Sequence, residues 1–178
     1  MDHRLLYPGL VEQVPPQDGT RRAAVLVALF PDGDDVRVIL TKRPLTMPTH
    51  AGHLAFPGGR ADPDDADEVA TALREAHEEV GVEPSSVEVI GFLPSIHTVQ
   101  FALWVVPVVG LIGPDPVLVP SEREVDKILL PTLAELSRPE AWRSELWNGR
   151  SIWFYELDGE ILWGATAMMV RQLLGLSS

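Results

Sequence analysis

The sequence predicts one α/β domain in which a mixed β-sheet lies between helices. Three observations carry this expectation. Residues 23–30, AAVLVALF, form a continuous apolar run and read as a strand buried on both faces. Residues 56–82 join a Gly-Gly turn and an acidic loop to a segment whose apolar residues Val69, Leu73, Ala76 and Val80 recur at helical spacing. Further strand-like runs follow, and residues 165–174 read as a C-terminal helix.

At 178 residues the chain is large enough for one domain with its own core, and 46% hydrophobic residues describe a globular protein. Residues 1–22 are rich in Pro and polar groups and are expected to lie on the surface as an N-terminal arm, leaving 23–178 as the domain. A net charge of −12 argues against non-specific nucleic-acid binding and against an anionic membrane surface. The absence of cysteine excludes a disulfide framework, a thiolate nucleophile and a zinc-thiolate site. With no signal-peptide pattern and no run of about 18 apolar residues, the expected location is cytoplasmic.

After the first strand, the turn-forming Asp32, Gly33, Asp34 and Asp35 lead to a second strand over 36–41, which makes a hairpin. A loop broken by Pro44 and Pro48 carries Lys42, Arg43, His50, His53 and, beyond it, Arg60. Such a cationic cluster in an acidic chain suits an anionic substrate, although Lys42 and Arg43 also read as a strand end in water. The histidines are given no base role, because no acid partner is matched to them in sequence. Glycine at 58 and 59 permits positive φ and close backbone approach. The run 62–67, DPDDAD, favours turns and supplies a helix N-cap at Asp64 or Asp67, and Gly81 is the expected helix stop.

Strands are expected at 87–93 and 102–109, with Pro107 pointing to an edge or bulge position. Residues 110–120 read as a loop and 133–136 as a short helix. Residues 151–157 and 160–163 form a hairpin about Asp158-Gly159. Trp142, Trp147 and Trp153 are packing residues or gate a substrate.

On a helix of about 100° per residue, Glu75, Glu78 and Glu79 fall within roughly 100° of arc, away from the apolar stripe. Carboxylates this close repel one another unless a cation intervenes. Oxygen donors of this kind suit Mg²⁺ or Mn²⁺, and the plain alternative is a solvated acidic face. Arg74 lies between the acidic and apolar faces, where its guanidinium would orient a ligand carboxylate.

The run REAHEEVGV at 74–82, preceded by Gly58-Gly59, resembles the Nudix hydrolase box, GX5EX7REUXEEXGU with U aliphatic. Arg74, Glu75, Ala76, Glu78, Glu79, Gly81 and Val82 match it. Gly59 stands one residue further from Arg74 than the box has it, and Ala66 replaces the first Glu. Residues 40–59, LTKRPLTMPTHAGHLAFPGG, with Asp62 and Asp65 and the later run Trp163 to Thr166, WGAT, are similar to the coenzyme A pyrophosphatase branch, whose loop is longer. Pro44, Pro48 and His53 depart from that branch's pattern, as does the run SIHTVQF.

The resemblance implies an α/β/α sandwich and attack of a metal-activated water on a diphosphate, with Mg²⁺ or Mn²⁺ as cofactor. It adds the Gly59 carbonyl to Glu75, Glu78 and Glu79 as metal ligands, makes Glu78, Glu79 and Arg74 the catalytic set, and favours Arg43, with Lys42, His50 and Arg60, for substrate binding. A further acid is expected from the distant loop, Glu122 or Glu124. In the coenzyme A reading the products are 3′,5′-ADP and 4′-phosphopantetheine. ADP-ribose, NADH or a nucleoside triphosphate is the alternative substrate, and a nucleotide-binding regulatory module without turnover the alternative of another class. The only partner expected is a small nucleotide, and the reading allows a homodimer.

Overall fold

The structure, a computed structural model, describes residues 5–12, 21–98 and 102–176. The buried run lies inside β1 (Arg21–Asp32), which turns back into β2 (Asp35–Val38) as the antiparallel hairpin expected from the Asp-Gly turn. The second strand does not run on to residue 41 in one sheet. After Ile39 the chain leaves β1, and β3 (Leu40–Lys42) enters another sheet between β4 (Leu54–Ala55) and a later strand, Lys127–Leu129. β5 (Gly58–Arg60) then returns to β1 and leads through the acidic loop into α1 (Glu68–Val80). Asp67 caps this helix by accepting from the Ala70 N–H at 2.8 Å, and Gly81 ends it in the left-handed region at φ 74°.

β6 (Glu88–Phe92), β7 (Ile96–Thr98) and β8 (Leu103–Leu111) complete the main sheet, in the order β2-β1-β8-β6, with β1 and β8 parallel and the other neighbours antiparallel. Pro107 is therefore in an inner strand, contrary to the edge expectation. Its carbonyl accepts from Leu93 where β6 gives way to β7, so its lack of an N–H interrupts no ladder there. β9 (Lys127–Leu129) pairs with β3, and α2 (Leu133–Leu136), capped by Thr132, follows. A meander of β10 (Trp142–Trp147), β11 (Arg150–Leu157) and β12 (Glu160–Trp163) precedes α3 (Gly164–Leu173).

Successive side chains of β1 point to opposite faces, and the two faces have different partners. Ala24, Leu26, Ala28 and Phe30 share a cluster with Ala72, Ala76 and Val80 of α1. Val27 and Leu29 join the other cluster, which contains Ala167, Met169, Val170 and Leu173 of α3. The mixed sheet is thus clamped between helices in the α/β/α arrangement. Part of the segment expected to lie on the surface also enters this core: Tyr7 and Leu10 are buried in the α3-side cluster, and Val11 bridges to Phe92. Among the tryptophans, Trp142 is buried with its indole N–H on the Leu136 carbonyl at 2.8 Å, and Trp153 stacks under Arg171. Trp147 stays exposed. Among the described residues no helix is long and apolar enough to cross a membrane.

Candidate active site

Gly58 and Gly59 bring β5 against β1, opposite Val25 and Ala24. Neither has positive φ; close approach is what requires glycine here. A Cβ on Gly58 would sit 2.4 Å from the Ala24 carbonyl oxygen, and one on Gly59 2.5 Å from the Glu75 carboxylate. The Gly59 backbone therefore lies directly against an acid of α1.

The acidic loop organises the outer part of that helix. Asp65 accepts from the Asp62 N–H and the Thr71 hydroxyl, each at 2.8 Å, and takes Arg74 in a two-pronged contact, Nε and Nη2 both at 2.9 Å. The guanidinium beside it holds the Asp65 carboxyl well below the usual carboxylate range, and Asp65 in turn raises Arg74. The remaining donors of Arg74 reach Glu75 at 2.9 Å, Glu78 at 3.4 Å and the Arg60 carbonyl at 3.2 Å. Arg74 thus bridges Asp65 and Glu75, and Asp65 fixes Arg74. Glu78 remains on the exposed side.

Glu79 occupies the opposite extreme, with 6% of its surface exposed. Burial pushes its carboxyl up to about 8, with Glu75 and Glu124 adding repulsion; Arg43 and a hydrogen bond from the Gly58 N–H act against the rise. Burial also raises Glu75, despite Arg74. The loop that carries Glu122 and Glu124 docks on the end of α1. Val119 N–H bonds to the Val80 carbonyl at 2.9 Å and Ser121 N–H to that of Glu79 at 2.8 Å, and Glu124 is the acid whose charge acts on both Glu75 and Glu79.

Glu79, Gly58 and Gly59 border a cavity of about 350 Å³ on the α3 side of the sheet. Arg43, His50 and His53 line it, as do all four residues of the run Trp163 to Thr166. His53 meets Trp163 edge-on at 4.9 Å between ring centres, and burial followed by His50 and Arg43 lowers its pKa. Thr166 donates to the Leu54 carbonyl at 3.0 Å and pins the end of α3 to β4. Two expected substrate contacts lie apart from these. Lys42 pairs with Glu160 at 2.8 Å and Asp126 at 3.9 Å, and Arg60 is an exposed residue of β5 whose carbonyl serves Arg74.

Among the described residues, no three His, Asp or Glu side chains converge as a ready-made metal cluster; Glu75 and Glu78 are turned to Arg74. The donor chemistry nevertheless fits a hard divalent cation: a buried carboxylate crowded by two others, beside a backbone free of side chains at Gly59. Such a charge set costs free energy without a counter-ion.

Residues 20–148 match the family model described as the NUDIX domain. The uncharacterized Nudix hydrolase NudL of Cronobacter sakazakii is 40% identical over 157 residues, which span 86% of this chain and 81% of that protein. Among solved structures, a MutT/nudix family protein from Enterococcus faecalis superposes with a TM-score of 0.62 at 17% identity, over 91% of this chain and 63% of that one. The NUDIX domain of Shewanella oneidensis NrtR, complexed with ADP ribose, gives 0.51 at 19% identity, over 67% and 77%. The box on α1, the sandwich around it and these matches agree: the chain belongs to the Nudix hydrolase family and is a pyrophosphohydrolase.

Proposed function

We propose that the protein hydrolyses the diphosphate of coenzyme A or its thioesters. Water adds across the P–O–P link, one P–O bond forming as another breaks, to give 3′,5′-ADP and (acyl-)4′-phosphopantetheine. The observation that supports this reading is a meeting in space. The two stretches similar to the coenzyme A branch, 40–59 and 163–166, are more than a hundred residues apart in sequence and line one cavity with Glu79.

Bound Mg²⁺ or Mn²⁺ supplies charge neutralisation on the diphosphate oxygens and lowers the pKa of the attacking water. Glu75, Glu78, Glu79 and the Gly59 carbonyl are the residues that would hold it. Arg74, locked by Asp65, keeps Glu75 facing Gly59. Arg43 offers a permanent positive charge to a phosphate at the cavity wall. Glu124 completes the acidic floor from outside the helix.

Another nucleoside diphosphate derivative, such as ADP-ribose, is the second reading. His53 favours it: standing where the branch has Gln, it presents a ring against Trp163 rather than an amide. Incubation with Mg²⁺ and a panel of coenzyme A, ADP-ribose, NADH and nucleoside triphosphates, with chromatographic identification of products, decides between them. Release of 3′,5′-ADP from coenzyme A as the preferred reaction supports the first reading; preferred cleavage of ADP-ribose replaces it. No product from any compound would leave a nucleotide-binding module without turnover.

A further inference from the structure

The outer face of the β10–β12 meander is more apolar than a solvent-facing sheet requires. A groove of about 250 Å³ crosses it, lined by Trp147, Ile152, Phe154, Ile161, Trp163 and a single charged residue, Glu145. Trp147, Ile161 and Trp163 are 71%, 42% and 36% exposed. Clustered apolar exposure of this kind marks a surface that binds something. The strand register explains the groove's course. Phe154 lies opposite Trp163, and Ile152 opposite Glu145, so the lining runs from β12 over β11 to β10, about 10 Å at ordinary strand spacing.

One residue gives the occupant its chemistry. Trp163 lines both this groove and the catalytic cavity. A ligand leaving the cavity past Trp163 therefore passes from Arg43 and Glu79 onto a hydrocarbon track. We propose that the groove holds the acyl chain of a thioester substrate whose diphosphate lies over Gly59 and Glu79. This rests on the coenzyme A reading and sharpens it: the preferred substrates are thioesters of medium-length acids rather than coenzyme A itself. A groove that spans three strands and carries one charge rejects a charged acyl end as well as it accepts a methylene chain.

The test has two arms. With Mg²⁺ present, kcat/KM is measured for coenzyme A, hexanoyl-coenzyme A and decanoyl-coenzyme A on the wild type and on Ile161→Asp and Trp147→Ser, both exposed positions outside the catalytic cavity. The wild type is expected to gain up to about fourfold per buried methylene. Ile161→Asp should remove at least tenfold of the decanoyl preference while coenzyme A is cleaved as before. Equal kcat/KM for the three compounds in the wild type, or a preference untouched by both variants, overturns the proposal. If no coenzyme A compound is cleaved, the coenzyme A reading fails, and the second arm judges the groove separately. This is calorimetric titration of the same compounds into EDTA-treated protein. Tighter decanoyl binding that Ile161→Asp abolishes sustains the groove; affinity independent of chain length, or no binding, rejects it. A wild-type dimer that Ile161→Asp dissociates, without any chain-length effect, assigns the face to a second copy and likewise rejects it.

Discussion

The two flanks of α1 treat charge in opposite ways. Around Arg74, on the outer flank, each carboxylate has a cationic or backbone partner, and Asp65 is held ionised by four hydrogen bonds, from the Asp62 N–H, the Thr71 hydroxyl and two nitrogens of Arg74. On the inner flank, one turn away, Glu79 is buried against Glu75 and Glu124, and its carboxyl is pushed up to about 8. The outer flank stabilises the fold on its own. The inner flank is held in place by the packing of Ala72, Ala76 and Val80 against the sheet, and its charges are suited to a cation rather than to one another. Binding energy from the core keeps an electrostatically unfavourable site assembled.

The substitution that breaks this contrast most sharply is Glu79→Gln. Turnover is expected to fall by about 10³-fold, while metal-free stability rises. The sign follows from linkage. The Glu79 carboxyl titrates higher folded, at about 8, than its ordinary 4.5, so the folded state favours the protonated form. Ionisation therefore costs stability, increasingly as pH climbs from about 4.5 to 8. In EDTA, the Tm of the variant should match the wild type at acid pH and exceed it by on the order of 5–10 °C at pH 8, and Mg²⁺ should raise the wild type selectively. A thermal-denaturation series across pH checks both; equal Tm values at every pH would remove the strain ascribed to Glu79.

Arg74→Ala attacks the satisfied flank and is expected to lower both properties. Asp65, nearly buried at its side chain, would lose its two-pronged partner, with a stability loss of about 1–3 kcal/mol in chemical denaturation. Glu75 would lose its orientation against Gly59, for a fall in kcat/KM of about 10–100-fold. Arg74→Lys should recover part of the stability and less of the activity, because one ammonium cannot reproduce the fork.

Much of this was legible in the sequence, for reasons that differ by residue. The strand at 23–30 and the helix bearing REAHEEVGV announce themselves through local periodicity, and Asp67 and Gly81 through capping chemistry, none of which needs a distant partner. β4, β5, β7 and β9 are two or three residues long and exist through their partners, so no local signal marks them. Charge pattern alone did not separate the adjacent Lys42 and Arg43, and only the family resemblance favoured Arg43; strand alternation sends the two to opposite sides. Thr41 and Arg43 line the cavity, and Lys42 turns to Glu160. Glu124 could not be told from Glu122 because the distinction lies in backbone bonds from the loop to Val80 and Glu79. Trp163 was legible only as part of a motif; its place between two cavities depends on the register of the meander.

The paired glycines sharpen the comparison at smaller cost. In Gly58→Ala the new methyl meets backbone, 2.4 Å from the Ala24 carbonyl oxygen and 2.6 Å from the Val25 Cα, so β5 must shift from β1. The expected result is a loss of about 1–3 kcal/mol with activity falling alongside it. In Gly59→Ala the methyl meets only the far end of a side chain, the Glu75 carboxylate at 2.5 Å, which can swing away. Stability should then change by less than about 1 kcal/mol, whereas kcat falls by about tenfold or more, since the displaced carboxylate is the one that Arg74 aims. Measuring Tm and kcat on both variants separates the roles. If Gly59→Ala unfolds as readily as Gly58→Ala, its glycine serves the sheet; if it keeps full activity, the approach of Glu75 to the Gly59 backbone has no part in the reaction.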